Sequence, residues 1–247
     1  MAMKIYGLVG KSLSHSFSKD FFSRKFLLED LKDIIYENFE LKEFNKEIIA
    51  FKNQIDLKGF NITIPYKESI IPYLDDASET CLQIGSCNCV KVESGRWVGY
   101  NTDVTGFKQS FEPHLKSCHQ KALVLGSGGA SKAVCFVLNQ LGIHLVQVSR
   151  NPNREKGQIT YSEVNEALLS QYKIVINTTP IGMFPLVNGY PILPYNAITN
   201  EHYFFDLVYN PAQTEFLNKA KHEGAFIKNG SEMLQIQAEE SWKIWNT

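Results

Sequence analysis

The stretch Val124-Leu125-Gly126-Ser127-Gly128-Gly129-Ala130-Ser131 decides how the rest of the chain is read. An apolar run at 122–125 precedes it with the character of a buried strand, and helix-spaced apolar residues at 130–141 follow it. The glycines therefore sit in a strand-to-helix turn, where backbone N–H groups can reach a pyrophosphate at the helix N-terminus. Gly126 permits the tight turn, Gly128 the close approach, and Ser131 takes the third small position, where helix meets strand. The spacing is a variant of GxGxxG, and a plain strand–helix turn is the competing reading of the same residues.

The next strand, at 145–149, bears on which dinucleotide the turn would serve. An NAD site places Asp or Glu about 20 residues beyond the glycines to hold the ribose 2′-hydroxyl. Here the strand ends Val148-Ser149-Arg150, Arg154 follows four residues later, and no carboxylate stands at that end. Two guanidinium groups suit a 2′-phosphate, which favours NADP(H) over NAD. The alternative is a pair of solvated surface arginines.

Outward from this centre the chain alternates strand and helix. Strands are expected at 5–9, 34–39, 59–64, 122–125, 145–149, 174–177 and 204–208, and helices at 18–28, 44–51, 130–141, 164–169, 215–222 and 231–245. Residues 87–92 and 97–100 read as a hairpin turning at 93–96, Pro65 sits where a helix would start, and another helix starts near Asp103. Such alternation implies βαβ units and a mainly parallel sheet. One internal boundary is expected, near 106–120.

Composition narrows the function classes. Of 247 residues, 44% are hydrophobic and 21% charged, which is globular. Twenty-five Lys+Arg balance twenty-six Asp+Glu to a net charge of −1, so there is no global attraction to nucleic acid or anionic membrane. No apolar run nears the roughly 18 residues of a spanning helix. The opening MAMKIYGLVGK lacks the long apolar core of a secretory signal, and the five cysteines, at 81, 87, 89, 118 and 135, are an odd number. A cytoplasmic chain with reduced thiols is expected. Cys87 and Cys89 are expected to share one strand face as small buried residues; no second cluster gives them metal-site spacing, and no metal is expected.

The first half carries candidate chemistry in Asn61-Ile62-Thr63-Ile64-Pro65-Tyr66-Lys67 and Asn101-Thr102-Asp103. The first segment sets Asn61 and Thr63 on one strand face with Lys67 just beyond, at the sheet edge where α/β folds bind ligands. Taken alone, Lys67 reads first as a solvated first-turn lysine, and Asp103 as a helix cap. If brought together, the two would make an acid/base pair.

These segments occur in order with His15-Ser16-Phe17-Ser18, the glycine-rich turn, Asn177-Thr178-Thr179-Pro180-Ile181-Gly182-Met183 and Asp206-Leu207-Val208-Tyr209-Asn210-Pro211. Together they resemble the shikimate dehydrogenase family, whose members reduce 3-dehydroshikimate with NADPH in aromatic amino-acid biosynthesis. The likeness runs from about residue 5 to Trp245. It implies that Lys67 and Asp103 are the catalytic pair. Ser16, Ser18 and Tyr209 would bind the substrate carboxylate, and Thr63, Asn88 and Gln237 the ring hydroxyls and oxo group. Gly126, Ser127, Gly128, Gly129, Ala130 and Ser131 would hold the diphosphate, with Ser149, Arg150 and Arg154 at the 2′-phosphate end. Thr178 and Met183 fall in the segment lining the cofactor, and Met233 near the nicotinamide; core packing is the alternative for Met233.

Three departures from the family pattern stand out: Asn88-Cys89 for Asn-Thr, Ser149-Arg150-Asn151 for Asn-Arg-Thr, and Gly230-Ser231-Glu232-Met233-Leu234 for Gly-Leu-Gly-Met-Leu. The expected fold class is α/β in two domains with a cleft between them. A substrate-binding domain takes 1–105 plus the final helix at 229–247, and a Rossmann-like NADP-binding domain takes 106–228. The expected partner is a small-molecule substrate, with no nucleic acid and no membrane, the chain being a monomer or homodimer. Quinate or NAD use, and a non-catalytic homologue, are the alternatives to weigh.

Overall fold

In the computed structural model, residues 3–13, 16–54 and 57–247 are described. The chain divides into two compact units, Met1–Thr102 with Ala238–Thr247, and Asp103–Gln237. His15 lies outside the described residues.

The first unit follows the order β1 (Lys4–Gly10), α1 (Phe17–Leu28), β2 (Ile34–Glu40), α2 (Phe44–Gln54), β3 (Leu57–Ile62), β4 (Asp76–Ala77), α3 (Glu79–Ile84), β5 (Cys89–Glu93) and β6 (Arg96–Tyr100). Its six-stranded sheet has the order β2-β1-β3-β5-β6-β4. β1 pairs in parallel with both β2 and β3, and the β5–β6 hairpin joins β3 antiparallel. Ser94 and Gly95, with φ of 52° and 78°, make the hairpin turn; positive φ at both central positions suits the twist of the flanking strands. The alternation of each strand sends side chains to two cores. Val9, Phe60, Ile62 and Val90 pack with Ile48 and Phe51 of α2, while Tyr6, Leu8 and Tyr36 pack with Phe22 and Phe26 of α1 and with Trp245. Phe22 stacks on Tyr36 with centroids 4.5 Å apart, and the Trp245 indole Nε1 donates to the Val90 carbonyl at 3.0 Å. Gly59 is the floor under that indole: a Cβ there would lie 2.3 Å from Trp245 Cδ1.

The second unit contains α4 (Asp103–Phe111), β7 (Lys121–Leu125), α5 (Gly129–Gln140), β8 (His144–Val148), α6 (Glu166–Gln171), β9 (Ile174–Asn177), β10 (Tyr203–Asp206), α7 (Glu215–His222), β11 (Phe226–Lys228) and α8 (Ser231–Asn246), whose last residues return to the first unit. Its sheet, β11-β10-β9-β7-β8, is parallel throughout. The strands are buried on both faces, which is why they read as unbroken apolar runs. Leu123, Leu125, Val175 and Phe204 face α7, whereas Val124, Ile176 and Phe205 face α4 and α5.

Several local expectations need correction. No α-helix starts at Pro65: the chain passes through successive turns, Tyr66 N–H donating to Thr63 O at 2.9 Å, before a single 3₁₀ turn at Ile71–Tyr73. Cys87 and Cys89 do not share a face. β5 starts only at Cys89, so strand alternation does not reach Cys87, and the two thiols are buried in different cores. The helix expected from 164 begins at 166 because Asn165 caps it, its Oδ1 accepting from Leu168 N at 2.9 Å. α3, β4 and β11 had no counterpart among the expected elements.

At the carboxyl ends of β9 and β10 a buried carboxylate organises both following segments. Asp206 Oδ1 accepts from Asn177 Nδ2 at 2.9 Å and from Val208 N at 3.0 Å, and Oδ2 accepts from the Thr214 hydroxyl at 2.6 Å. Asn177 Oδ1 in turn accepts from Thr179 N at 3.1 Å and Thr179 Oγ1 at 2.6 Å. Thr214 is also the N-cap of α7. Burial pushes the Asp206 carboxyl up to about 7 against the pull of its three donors.

Two outcomes are expected. Gly59→Ala forces the Trp245 indole off the sheet and destabilises the fold by about 1–3 kcal/mol in urea unfolding, the usual cost of overpacking. For Asp206, the native state keeps a proton that the unfolded chain has lost between about pH 4 and pH 7, so its contribution to stability falls as pH rises through that window. Unfolding curves at pH 5 and pH 8 should therefore show Asp206→Asn losing less stability relative to wild type at pH 8 than at pH 5.

Candidate active site

In the first unit the candidate residues collect at one edge of the sheet. β2 and β3 lie on opposite sides of β1, so the loops after β1 and β3 diverge at a switch point, the place where open α/β sheets bind ligands. Ser16 follows β1 and caps α1, its Oγ accepting from Lys19 N at 3.4 Å; the capping role is thus present. Ser18 is buried in the first turn of α1, near the Tyr36 phenol, whose pKa it pulls down against the larger effect of burial. Thr63, half-buried, follows β3, its N–H donating to Val9 O at 3.0 Å. Gly10 permits that approach, since a Cβ there would meet Thr63 Cγ2 at 2.7 Å. Lys67, also half-buried, lies on the turns beyond, anchored by its carbonyl, which accepts from Cys87 N at 2.7 Å.

Asn88 enters the same edge because β5 is antiparallel to β3, so its start abuts the end of β3; Ile62 N donates to Asn88 O at 2.9 Å. The Asn88 amide is held at both ends. Its Oδ1 accepts from Thr102 N at 2.7 Å, and its Nδ2 donates to Thr102 Oγ1 at 3.0 Å. Behind it, Asn61 Nδ2 donates to Asn88 O at 3.1 Å and to Ser241 Oγ at 2.9 Å, while Asn61 Oδ1 accepts from Tyr36 OH at 2.9 Å. Burial raises the Tyr36 phenol well above its usual range, so it remains a neutral donor. Tyr36 and Ser241 were not singled out by sequence. No local pattern marks them, because Ser241 meets Asn61 across 180 residues.

The second unit has a switch point of its own, with β8 and β9 on opposite sides of β7. Gly126 follows β7 with φ of 111°, and a Cβ there would lie 2.6 Å from Thr178 Oγ1, so glycine is required twice over. Thr178 binds back across the switch, its N and Oγ1 both donating to Leu125 O at 2.9 and 2.7 Å. Gly128 is the N-cap of α5 and offers no side-chain cap; a Cβ on it would meet no protein atom within 4 Å. Gly129 and Ala130 open that helix, whose first turn has no acidic residue. Ser131 is buried between α5 and β8, its hydroxyl donating to Gly128 O at 2.6 Å and accepting from Gln147 Nε2 at 3.3 Å. An uncapped helix N-terminus behind a glycine cradle is suited to a diphosphate.

At the end of β8, Ser149 Oγ lies 3.3 Å from Ser127 Oγ and accepts from Asn151 N, tying the strand end to the glycine loop. Arg150 is exposed, with no carboxylate partner among the described residues. Arg154 differs: Nη1 and Nη2 donate to Glu163 Oε1 and Oε2 at 3.0 and 2.8 Å. These residues fit a dinucleotide with a 2′-phosphate, having two arginines and no acid at the strand end.

The remaining candidates are spread over the second unit. Asp103 is the first residue of α4, 6% exposed, at the helix end that favours a carboxylate. Gln237 is buried in α8, its Nε2 donating to Leu234 O at 3.0 Å. Met233 packs in the core with Phe107 and Phe205, so the packing role is present. Tyr209 follows the turn that Asp206 organises, and burial raises its phenol. Met183 is exposed after the Asn177–Thr179 network. Glu232, one of the departures, is paired with Lys228 Nζ at 2.5 Å. Among the described residues, no helix is long and apolar enough to cross a membrane.

Comparison with known proteins agrees with this geometry. The family model described as the shikimate dehydrogenase substrate binding domain matches residues 8–90. A protein of Caldicellulosiruptor bescii named shikimate dehydrogenase (NADP(+)) is 40% identical, covering 98% of this chain and 89% of that protein. One of the same name from Methanococcus maripaludis is 37% identical over 98% of this chain and 91% of its own length. Among solved structures, shikimate 5-dehydrogenase of Thermus thermophilus in complex with NADP(H) and shikimate is 28% identical with a TM-score of 0.86, covering 98% of this chain and 93% of that one. With sequence likeness along nearly its whole length and the same two-sheet architecture, this chain belongs to the shikimate dehydrogenase family.

Proposed function

We propose that the chain catalyses the reversible NADPH-dependent reduction of 3-dehydroshikimate to shikimate. The observation that carries this reading is the 37–40% identity along 98% of the chain to proteins named shikimate dehydrogenase (NADP(+)). The glycine cradle, the uncapped α5 and the acid-free end of β8 support the cofactor assignment, and the hydrogen-bonding edge of the first sheet supports a hydroxylated carboxylate as substrate.

The nicotinamide, when bound, supplies the hydride. The chain's own work is to place substrate and handle the proton. Lys67, as an ammonium, donates a proton to the carbonyl oxygen and stabilises the charge that develops on it. Asp103 is the carboxylate of the catalytic pair and accepts from the ring hydroxyl beside that carbonyl. Ser16, Ser18 and Tyr209 take the substrate carboxylate, while Thr63, Asn88 and Gln237 take the ring oxygens. Because both ends of the Asn88 amide are already fixed by Thr102, its orientation is set before substrate arrives. Gly126 to Ser131 hold the diphosphate, Ser149, Arg150 and Arg154 the 2′-phosphate end, and Thr178, Met183 and Met233 the cofactor's other contacts. The two units correspond in this reading to a substrate domain and an NADP domain. The free thiols support a reducing, cytoplasmic setting, and the enzyme works as a monomer or homodimer on small molecules.

Nicotinamide absorbance followed with shikimate and NADP⁺, beside reactions with quinate and with NAD⁺, tests the reading directly. Rapid NADPH formation with shikimate is expected; activity mainly with quinate or NAD⁺ would move the specificity, and no activity from folded protein that still binds NADPH would favour a non-catalytic homologue. Lys67→Ala is expected to lower turnover by about 10²–10⁴-fold, the usual contribution of a positioned acid, with shikimate affinity within a few-fold by calorimetry.

A further inference from the structure

The two arginines beyond β8 are in different electrostatic states. Arg150 is exposed with no carboxylate partner among the described residues, whereas Arg154 is bound edge-on by Glu163, nine residues later. The pair is built rather than casual. Glu163 Oε2 also accepts from Thr160 N and Thr160 Oγ1, each at 2.7 Å, so four donors hold one carboxylate at the start of the 3₁₀ turn Tyr161–Glu163. Those donors hold the Glu163 carboxyl down at about 2, so it stays charged at any working pH. On the other side, Arg154 Nη1 gives its second hydrogen to Gln158 O at 3.3 Å. Of the five guanidinium N–H groups, the two left over are on Nε and Nη2, which share one edge and form a fork that suits a phosphate.

We propose that Glu163 is a specificity-determining residue of the cofactor site: it fixes the guanidinium of Arg154 with one edge open while cancelling its charge, so that the chain distinguishes NADP⁺ from NAD⁺ less sharply than two unpaired arginines would. This inference rests on the reading of Arg150 and Arg154 as the 2′-phosphate clamp. A 2′-phosphate approaching the open fork meets the attraction of Arg154 and, slightly farther away, the repulsion of Glu163. NAD⁺ carries no group at that position and is indifferent to both. The discrimination at Arg154 is therefore carried by hydrogen-bond geometry, and that at Arg150 by charge.

Glu163→Gln removes the charge while keeping one oxygen for Thr160 N and Arg154 Nη2; only the bond from Nη1 is given up, and Nη1 is still held by Gln158 O. Dissociation constants for NADP⁺ and NAD⁺ are measured by calorimetry at low and high salt on wild type, Glu163→Gln, Arg154→Ala, the double variant and Arg150→Ala. In Glu163→Gln, NADP⁺ is expected to bind about three- to tenfold tighter at low salt, by the Coulomb repulsion removed, with a steeper salt dependence. NAD⁺ should stay within about twofold, and the gain should vanish in the Arg154→Ala background. Unchanged or weaker NADP⁺ binding in Glu163→Gln, an equal gain for NAD⁺, or a gain that survives loss of Arg154 would each overturn the inference. Arg150→Ala tells its failure from that of the clamp: if it leaves the NADP⁺/NAD⁺ ratio untouched, the 2′-phosphate reading itself is wrong.

Discussion

Parallel strands cannot be joined by a tight turn, and the crossovers they require place all their carboxyl ends along one edge of a sheet. When a chain then adds its next strand on the opposite side of the first, the loops at that edge part. This happens twice here, at β1 between β2 and β3 and at β7 between β8 and β9. Several of the candidate site residues follow from those two reversals. Ser16, Thr63 and Lys67 come from the loops beside the first, and Gly126, Gly128 and Thr178 from the loops beside the second.

A parted pair of loops is only a place; polar groups buried beneath it supply the precision. In the first unit, Tyr36, Asn61, Ser241 and Thr102 form a continuous hydrogen-bonded set that ends on the Asn88 amide. In the second, one carboxylate, Asp206, holds the starts of the segments that carry Thr178 and Tyr209. Each set exchanges water for protein partners in the interior, where an unmet donor or acceptor would cost far more than a satisfied one contributes. The loops above them are therefore fixed by groups that need never touch a ligand.

The sequence exposed the second sheet well because its strands are buried on both faces. Ala122 to Leu125 and Ile174 to Ile176 have no polar face to confuse the pattern. The glycine turn was legible for a related reason, since only glycine tolerates the positive φ at 126 beside Thr178. What stayed hidden was short or distant. α3 spans six residues, yet its Ser78 cap and left-handed Gly85 were local signals available to a closer reading. β11 has three residues and takes its identity from pairing with β10. Ser241 and Tyr36 have no local signal, because a polar group deep in a core is defined by partners the chain reaches only after folding. The charge state of the Arg154 site was hidden in the same way: the arginine is visible in the sequence, but its engagement by Glu163 is not.

Trp245 has a consequence for how the molecule is made. Its indole lies 5.0 Å from the Tyr6 ring and covers Gly59, so the first unit needs residues from both extremes of the numbering to close its core. The second unit is one uninterrupted segment. During synthesis the later-encoded unit can therefore consolidate before the earlier one, whose aromatic groups Tyr6, Phe22 and Tyr36 wait without their last partner. Closing so long a loop adds little to the equilibrium cost, which grows only logarithmically, but it lengthens the interval in which sticky surface is exposed. The nascent chain is thus most vulnerable to misassembly in its first hundred residues, and most dependent there on protection until the final helix arrives.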